Sequence, residues 1–220
     1  MSATPTAPMT LIGRPGWGSA IIELQLAHYG LPHVLQDSGD LLDSEDARAS
    51  LRHLNPLAQV PVLLLPDGTV MTESAAITLH LADITQRDDL VPGPTAPERA
   101  AFLRWLVFLV ANIYPTFTYG DIPTRFVPDE TAAEAFEQTL NAYARKLWCQ
   151  VEGEVKGPCF LGDRFTALDI YLLVMMRWRP GKAWFTENAP LLDAAFTRAN
   201  DIAQSTPALA QVMQRNFPKG

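Results

Sequence analysis

The stretch that decides the fold is Leu54-Asn55-Pro56-Leu57-Ala58-Gln59-Val60-Pro61-Val62-Leu63-Leu64-Leu65-Pro66-Asp67-Gly68-Thr69-Val70-Met71-Thr72-Glu73-Ser74. Two apolar runs, 60–65 and 69–72, flank Pro66-Asp67-Gly68, a turn composition that reads as a β-hairpin. Asn55-Pro56 closes the segment before it, and Glu73-Ser74 opens a helix through 82 directly after it. Working backward, 9–12 reads as a strand followed by the turn Gly13-Arg14-Pro15-Gly16-Trp17-Gly18. A helical pattern over 19–29 then ends at Gly30-Leu31-Pro32, a left-handed stop followed by a residue that cannot continue the helix. Residues 33–36 read as a second strand and 43–52 as a short polar helix, giving β-α-β-α-β-β-α over 9–84.

Working forward, the Pro-rich string within 87–98 has no periodicity and reads as a linker. Everything after it is helical in character, over 98–114, 129–155, 166–177, 189–204 and 207–215. The segments around 103–113 and 170–176 are apolar nearly all round, as expected for central helices of a bundle. The expected class is α+β, with a disordered tail over 1–8, a βαβαββα domain over 9–85, a linker over 86–98 and an all-helical domain over 99–220. At Thr166-Ala167-Leu168-Asp169, Thr166 caps a helix and Asp169 reaches back to its amide, so Asp169 is read as a folding device.

Composition narrows the function. Hydrophobic residues make up 48% of the 220 and charged residues 19%, which excludes disorder as the main state. A net charge of −7 opposes a nonspecific grip on nucleic acid or anionic membranes. The longest apolar run, 105–111, falls well short of the roughly 20 residues a membrane span needs, so no membrane partner is expected. Residues 1–8 lack the basic and apolar regions of a secretory signal. Cys149 and Cys159 cannot form a disulfide framework, which fits a cytoplasmic location. Four scattered histidines, His28, His33, His53 and His80, have no metal-ligand spacing, so no metal is expected. The 18 prolines, where about 5% of residues is usual, mark boundaries between elements.

The order and spacing of 54–63, Thr72-Glu73-Ser74-Ala75-Ala76-Ile77, the linker and the Thr166–Asp169 cap resemble a cytosolic glutathione S-transferase of bacterial type. The similarity covers nearly the whole chain from Met9. It implies a thioredoxin-like N-terminal domain, an all-helical bundle after it, a homodimer, and glutathione as co-substrate. Val60-Pro61 resembles the family's cis-proline position, where the Val60 backbone would pair with the cysteinyl residue of glutathione like an added strand. Ser74 would then bind the γ-glutamyl carboxylate, Glu73 its ammonium group, and Gln59 is a further candidate.

Catalysis in this family needs a thiolate, and a thiol with pKa about 8.5 is mostly protonated at neutral pH. Family members place a Tyr, Ser or Cys in or beside the first turn; here Gly16 or Gly18 falls where Ser or Cys commonly stands. Ser19 is the only hydroxyl in the turn and is the catalytic candidate, with N-capping as its plainer role. Backbone N–H groups exposed by the two glycines and the Tyr114 phenol are the alternatives. Trp17, Tyr114, Tyr119 and Trp178 are candidates for an electrophile site, and Arg125 follows Tyr119 in the same stretch. The expected activity is thiolate attack on a small apolar electrophile. The other readings are a noncatalytic binding module that keeps the fold, and a glutathione-dependent isomerase or dehalogenase.

Overall fold

In the computed structural model, which describes residues 7–218, contacts group the chain into two compact units: residues up to Pro94 with those from Asn200, and Thr95–Ala199. Most of the tail expected over 1–8 lies outside the described residues.

The first unit holds β1 (Met9–Gly13), α1 (Ser19–Tyr29), β2 (His33–Asp37), α2 (Glu45–Leu51), β3 (Val62–Leu64), β4 (Val70–Met71) and α3 (Ser74–Thr85). The sheet order is β2-β1-β3-β4, with β1 parallel to β2 and antiparallel to β3. Only the β1-α1-β2 crossover needs a helix to return the chain in parallel. The hairpin is shorter than its apolar runs: Leu63 opposes Met71 and Leu64 opposes Val70, and Leu65 N–H donates to Thr69 C=O at the turn. Ile21, Ile22, Leu24 and Leu26 of α1 are fully buried, each stabilising by about 1.5–3 kcal/mol. The helix ends in a Schellman motif: Gly30, with φ 68°, donates to Ala27 C=O, and Leu31 N–H donates to Leu26 C=O. A second cluster of Ile12, Leu41, Leu51 and Val62 is packed by Trp17, Leu54 and Val60.

The segment from Asn200 belongs to this unit because a late helix, described below, packs on α1. This grouping differs from the sequence division, which places all of 99–220 in the helical domain. The cut between Pro94 and Thr95 lies within 86–98, where Leu90 and Val91 are buried rather than solvated.

The second unit is helical throughout its regular elements. Here α4 (Arg99–Phe108) continues through a π-helical segment (Leu109–Ile113) into α5 (Tyr114–Asp121), whereas the sequence predicts a stop before Pro115. Pro115 has no N–H to give an α-helical bond, and the widened π turn directly precedes it. Arg99–Asp121 is consequently long and apolar enough to cross a membrane, by length and composition alone. The uninterrupted apolar run inside it is still only 105–111; the length comes from the helix continuing past Pro115. Its Phe102, Trp105, Leu106, Leu109, Ile113 and Phe117 are buried within the protein.

After a short 3₁₀ turn (Pro123–Arg125), α6 (Glu130–Glu152) is capped by Asp129, whose carboxylate accepts the Ala132 N–H at 2.9 Å. Every residue of α7 (Ala167–Met175) is buried, as its uniform apolarity predicts. Asp169 accepts from Thr166 N–H at 2.8 Å, Thr166 Oγ1 at 3.0 Å and Phe160 N–H at 2.8 Å. The capping reading of Asp169 therefore holds and extends to the chain before the helix. No periodicity announces α8 (Lys182–Asn188), which is too short to show one. It is followed by α9 (Pro190–Ser205), which crosses the division, and α10 (Pro207–Asn216). Glu152 caps α9 from a distance, accepting the Leu191 and Leu192 N–H groups at 2.9 and 2.8 Å.

Candidate functional site

Strand register gathers the N-terminal candidates at one end of the sheet. Ile12 opposes Val62, so continuing the antiparallel ladder brings Val60 alongside the turn that leaves β1. Leu63 opposes Met71 on the other side, which carries Glu73 and the start of α3 to the same end. Val60 and Trp17 pack on one apolar cluster.

The Val60-Pro61 peptide bond is cis, as the family resemblance implies. No described hydrogen bond uses the Val60 N–H or C=O. The loop before it is shaped by Asn55, 5% exposed, whose Nδ2 donates to Gln59 C=O at 2.8 Å and whose Oδ1 accepts Leu57 N–H at 3.1 Å. The sequence marks Asn55 as an element boundary and as part of the 54–63 stretch; its burial and its hold on the loop appear only in the fold. The Gln59 side chain is exposed.

Glu73 has φ 64° and ψ 100°, a left-handed conformation that costs a residue with a Cβ about 1–3 kcal/mol. Its C=O accepts Ile77 N–H at 3.0 Å, the first backbone bond of α3, so the amides of Ser74, Ala75 and Ala76 precede the helical ladder. Ser74 is 8% exposed, and its hydroxyl is not engaged by another described residue. Glu73 is exposed beside it.

The turn after β1 is built around Ser19. Its hydroxyl accepts from Arg14 N–H at 3.0 Å and donates to Arg14 C=O at 3.1 Å, and the residue is 1% exposed. A Cβ on Gly13 would lie 2.1 Å from the Ser19 Cβ, so glycine is required there. The only hydroxyl proton of Ser19 is thus taken by the turn itself. Backbone bonding in α1 begins at Ala20, whose N–H reaches Trp17 C=O, followed by Ile21 to Gly18 C=O; the amides of Gly18 and Ser19 precede it. Gly16, with φ 80°, gives its N–H to Asn216 Oδ1 at 3.1 Å. Arg14 lies over Trp17 at 6.0 Å from the ring centroid.

In the helical unit, Tyr114 and Trp178 come together, with centroids 5.7 Å apart and edge-on, and Phe117 lies 4.9 Å from Trp178. Burial pushes the Tyr114 phenol above its usual range, so it stays protonated at neutral pH. Arg179 braces this group, donating to Phe117 C=O at 3.1 Å and to Asp121 at 2.7 Å. Tyr119 instead joins Phe126 at 4.7 Å, and Arg125 on the 3₁₀ turn is exposed. Among the described residues no group of three or more His, Cys, Asp or Glu is placed to hold a metal.

Residues 19–84 match the sequence family described as Glutathione S-transferase, N-terminal domain. The uncharacterized GST-like protein YncG of Escherichia coli (strain K12) is 40% identical over 205 residues, covering 93% of this chain and 96% of that protein. Glutathione S-transferase GST-4.5 of Xanthomonas campestris pv. campestris is 31% identical over 146 residues, 66% of this chain and 71% of its relative. A solved sphingomonad glutathione S-transferase complexed with glutathione aligns with a TM-score of 0.68 at 26% identity, covering 93% of this chain and 97% of that one.

Proposed function

As the chain belongs to the glutathione S-transferase family, we propose that it binds glutathione along Val60 and the start of α3 and activates the thiol at the turn before α1. The observation that carries this is Val60, whose N–H and C=O are both unpaired at the sheet end that also holds Glu73 and Ser74. An extended tripeptide pairs there through its cysteinyl backbone, and cis-Pro61 leaves that edge unextended. The γ-glutamyl carboxylate meets the Ser74 hydroxyl and the first amides of α3, where helix dipole and free N–H groups favour an anion. Glu73 receives the ammonium group, and Gln59 adds a polar contact from the loop.

Ser19 in this reading holds the turn rather than the sulfur, since its proton goes to Arg14 C=O. The thiolate is stabilised by the amides of Gly18 and Ser19 at the start of α1. The thiol proton leaves to solvent, the sulfur lone pair forms the new bond to the electrophilic carbon, and the leaving group departs with its electron pair. Trp17 in the turn of the first unit, and Tyr114, Trp178 and Tyr119 in the second, are the aromatic candidates for contact with a small apolar electrophile. A cytoplasmic homodimer belongs to the same proposal.

The Ser19 geometry also favours a second reading, a glutathione-binding module without turnover. Calorimetric titration with glutathione tests the binding claim: wild type binds, and Ser74→Ala weakens affinity about 10- to 100-fold through loss of a charge-assisted hydrogen bond. Absence of binding refutes the site. Turnover of an activated aryl halide separates transferase from module, and light scattering checks the dimer.

A further inference from the structure

Glu23 sits in the middle of α1 with 0% exposure, and Asn216, the last residue of α10, is 5% exposed. A buried carboxylate carries a desolvation cost of several kcal/mol unless it is well paired. Here Oε2 accepts Asn216 Nδ2 at 2.7 Å and Oε1 faces Arg215 in an ion pair. The second Nδ2 proton goes to Val212 C=O at 3.0 Å. This leaves Asn216 Oδ1 as an acceptor, and it takes the Gly16 N–H at 3.1 Å. The orientation is forced: a flipped carboxamide would set NH₂ against the Gly16 N–H and oxygen against the carboxylate.

We propose that Asn216 is a positioning residue for the thiol-activating turn, clamped by Glu23 so that its carbonyl oxygen fixes the Gly16 amide and the direction of the amides that follow. The inference rests on the reading that the turn binds the glutathione sulfur. An ion pair between Glu23 and Arg215 would by itself tie α10 to α1. The contact to Gly16 is additional and reaches a backbone that has no side chain to lock it, at φ 80°. Ser19 secures the near side of the turn through Arg14, and Asn216 secures the far side. A Cβ at Gly16 would meet Asn216 C=O at 3.4 Å, so the turn lies directly against the end of α10. Charged groups around it are Arg14, which faces Asp37 and Asp40 at 3.6 Å each, Glu23 and Arg215.

The test compares Asn216→Ala with Glu23→Gln in the full-length protein. A glutamine at 23 still accepts from Asn216 but cannot form the ion pair with Arg215, so it separates the clamp from the tie. Readouts are Gly16 amide exchange by NMR, glutathione Kd by calorimetry, and ionisation of bound glutathione followed by thiolate absorbance across pH. For Asn216→Ala, Gly16 exchange accelerates at least tenfold and Kd stays within about threefold. The bound thiol ionises about one pH unit higher, and neutral-pH kcat falls about tenfold but recovers as pH rises. Glu23→Gln retains wild-type thiol ionisation. An unchanged thiol ionisation in Asn216→Ala, unchanged Gly16 exchange, or equal damage by Glu23→Gln overturns the positioning role. If Asn216→Ala does not fold, Asn216→Ser carries the same readouts. Failure of wild type to bind glutathione refutes the proposed function, and this inference with it; binding with an unshifted thiol refutes this inference alone.

Discussion

Replacing Ser19 with alanine separates thiol activation from bracing of the turn; the N-capping that the sequence offers as its plainer role is not made, since Gly18 is the N-cap of α1 and no side chain caps it. The hydroxyl makes two hydrogen bonds to Arg14, at 3.0 and 3.1 Å, in a residue only 1% exposed. Neutral hydrogen bonds contribute about 1 kcal/mol each, so losing both, with the Cβ still seated on Gly13, costs about 2 kcal/mol. For a chain of this size that corresponds to a fall of about 4–8 °C in Tm. Because the hydroxyl proton already serves Arg14, the ionisation of bound glutathione shifts by no more than the roughly one pH unit expected when one anchor of the turn is lost. The expected result, read by thermal unfolding and by kcat at a temperature where the variant is fully folded, is the Tm loss with kcat within about tenfold of wild type. A kcat loss above 100-fold, with Tm and glutathione affinity unchanged, would refute the structural reading and restore Ser19 as the thiol activator; losses of that size accompany removal of a direct oxyanion donor.

Asp169→Ala strands two backbone donors and the Thr166 hydroxyl in a buried cap, and chemical denaturation should show a loss of about 3 kcal/mol or more, with Asp169→Asn losing less. Burial, reinforced by the Asp169 charge, pushes the Cys159 thiol up to about 11, whereas Cys149 is exposed; an aromatic-disulfide titration at mildly alkaline pH should modify Cys149 in the native protein and Cys159 only after unfolding. Burial pushes the Asp89 carboxyl up, but Arg87 and His28, which contact it at 2.5 Å each, outweigh that and hold it below its usual range. Its folded pKa is therefore depressed: the contribution is present above about pH 4 and is lost as pH falls through the folded value. Asp89→Asn should lower Tm at neutral pH, and the difference from wild type should vanish in acid.

What the sequence revealed was local. Gly30-Leu31-Pro32 marks the end of α1 because the left-handed stop and the following proline are chemically specific, and 60–74 reads as the hairpin and the next helix in one run, the cis-proline being added by the resemblance. Uniform apolarity identified α7 as a core helix. What it concealed was long-range. Asn216 lies 200 residues from Gly16, and nothing in an amphipathic helix end announces a partner that distant. The docking of α10 on α1, which moves the last segment out of the helical group, is hidden for the same reason. Pro115 misled because proline usually ends a helix, whereas here the π segment absorbs the missing donor and the helix continues to Asp121. At the candidate site, the residues alone mark Val60 as a strand start and Glu73-Ser74 as a helix start, and only the resemblance adds binding roles; that Ser19 spends its proton on Arg14 is not legible, since only the folded turn sets those distances.

The most direct measurement is a crystal structure of the protein with glutathione. The proposed site requires the cysteinyl backbone paired with the Val60 N–H and C=O, the γ-glutamyl carboxylate on Ser74 and the sulfur nearest the amides of Gly18 and Ser19, with the Ser19 hydroxyl still bonded to Arg14. Glutathione bound elsewhere, or its sulfur within hydrogen-bond distance of a Ser19 hydroxyl released from Arg14, would contradict it.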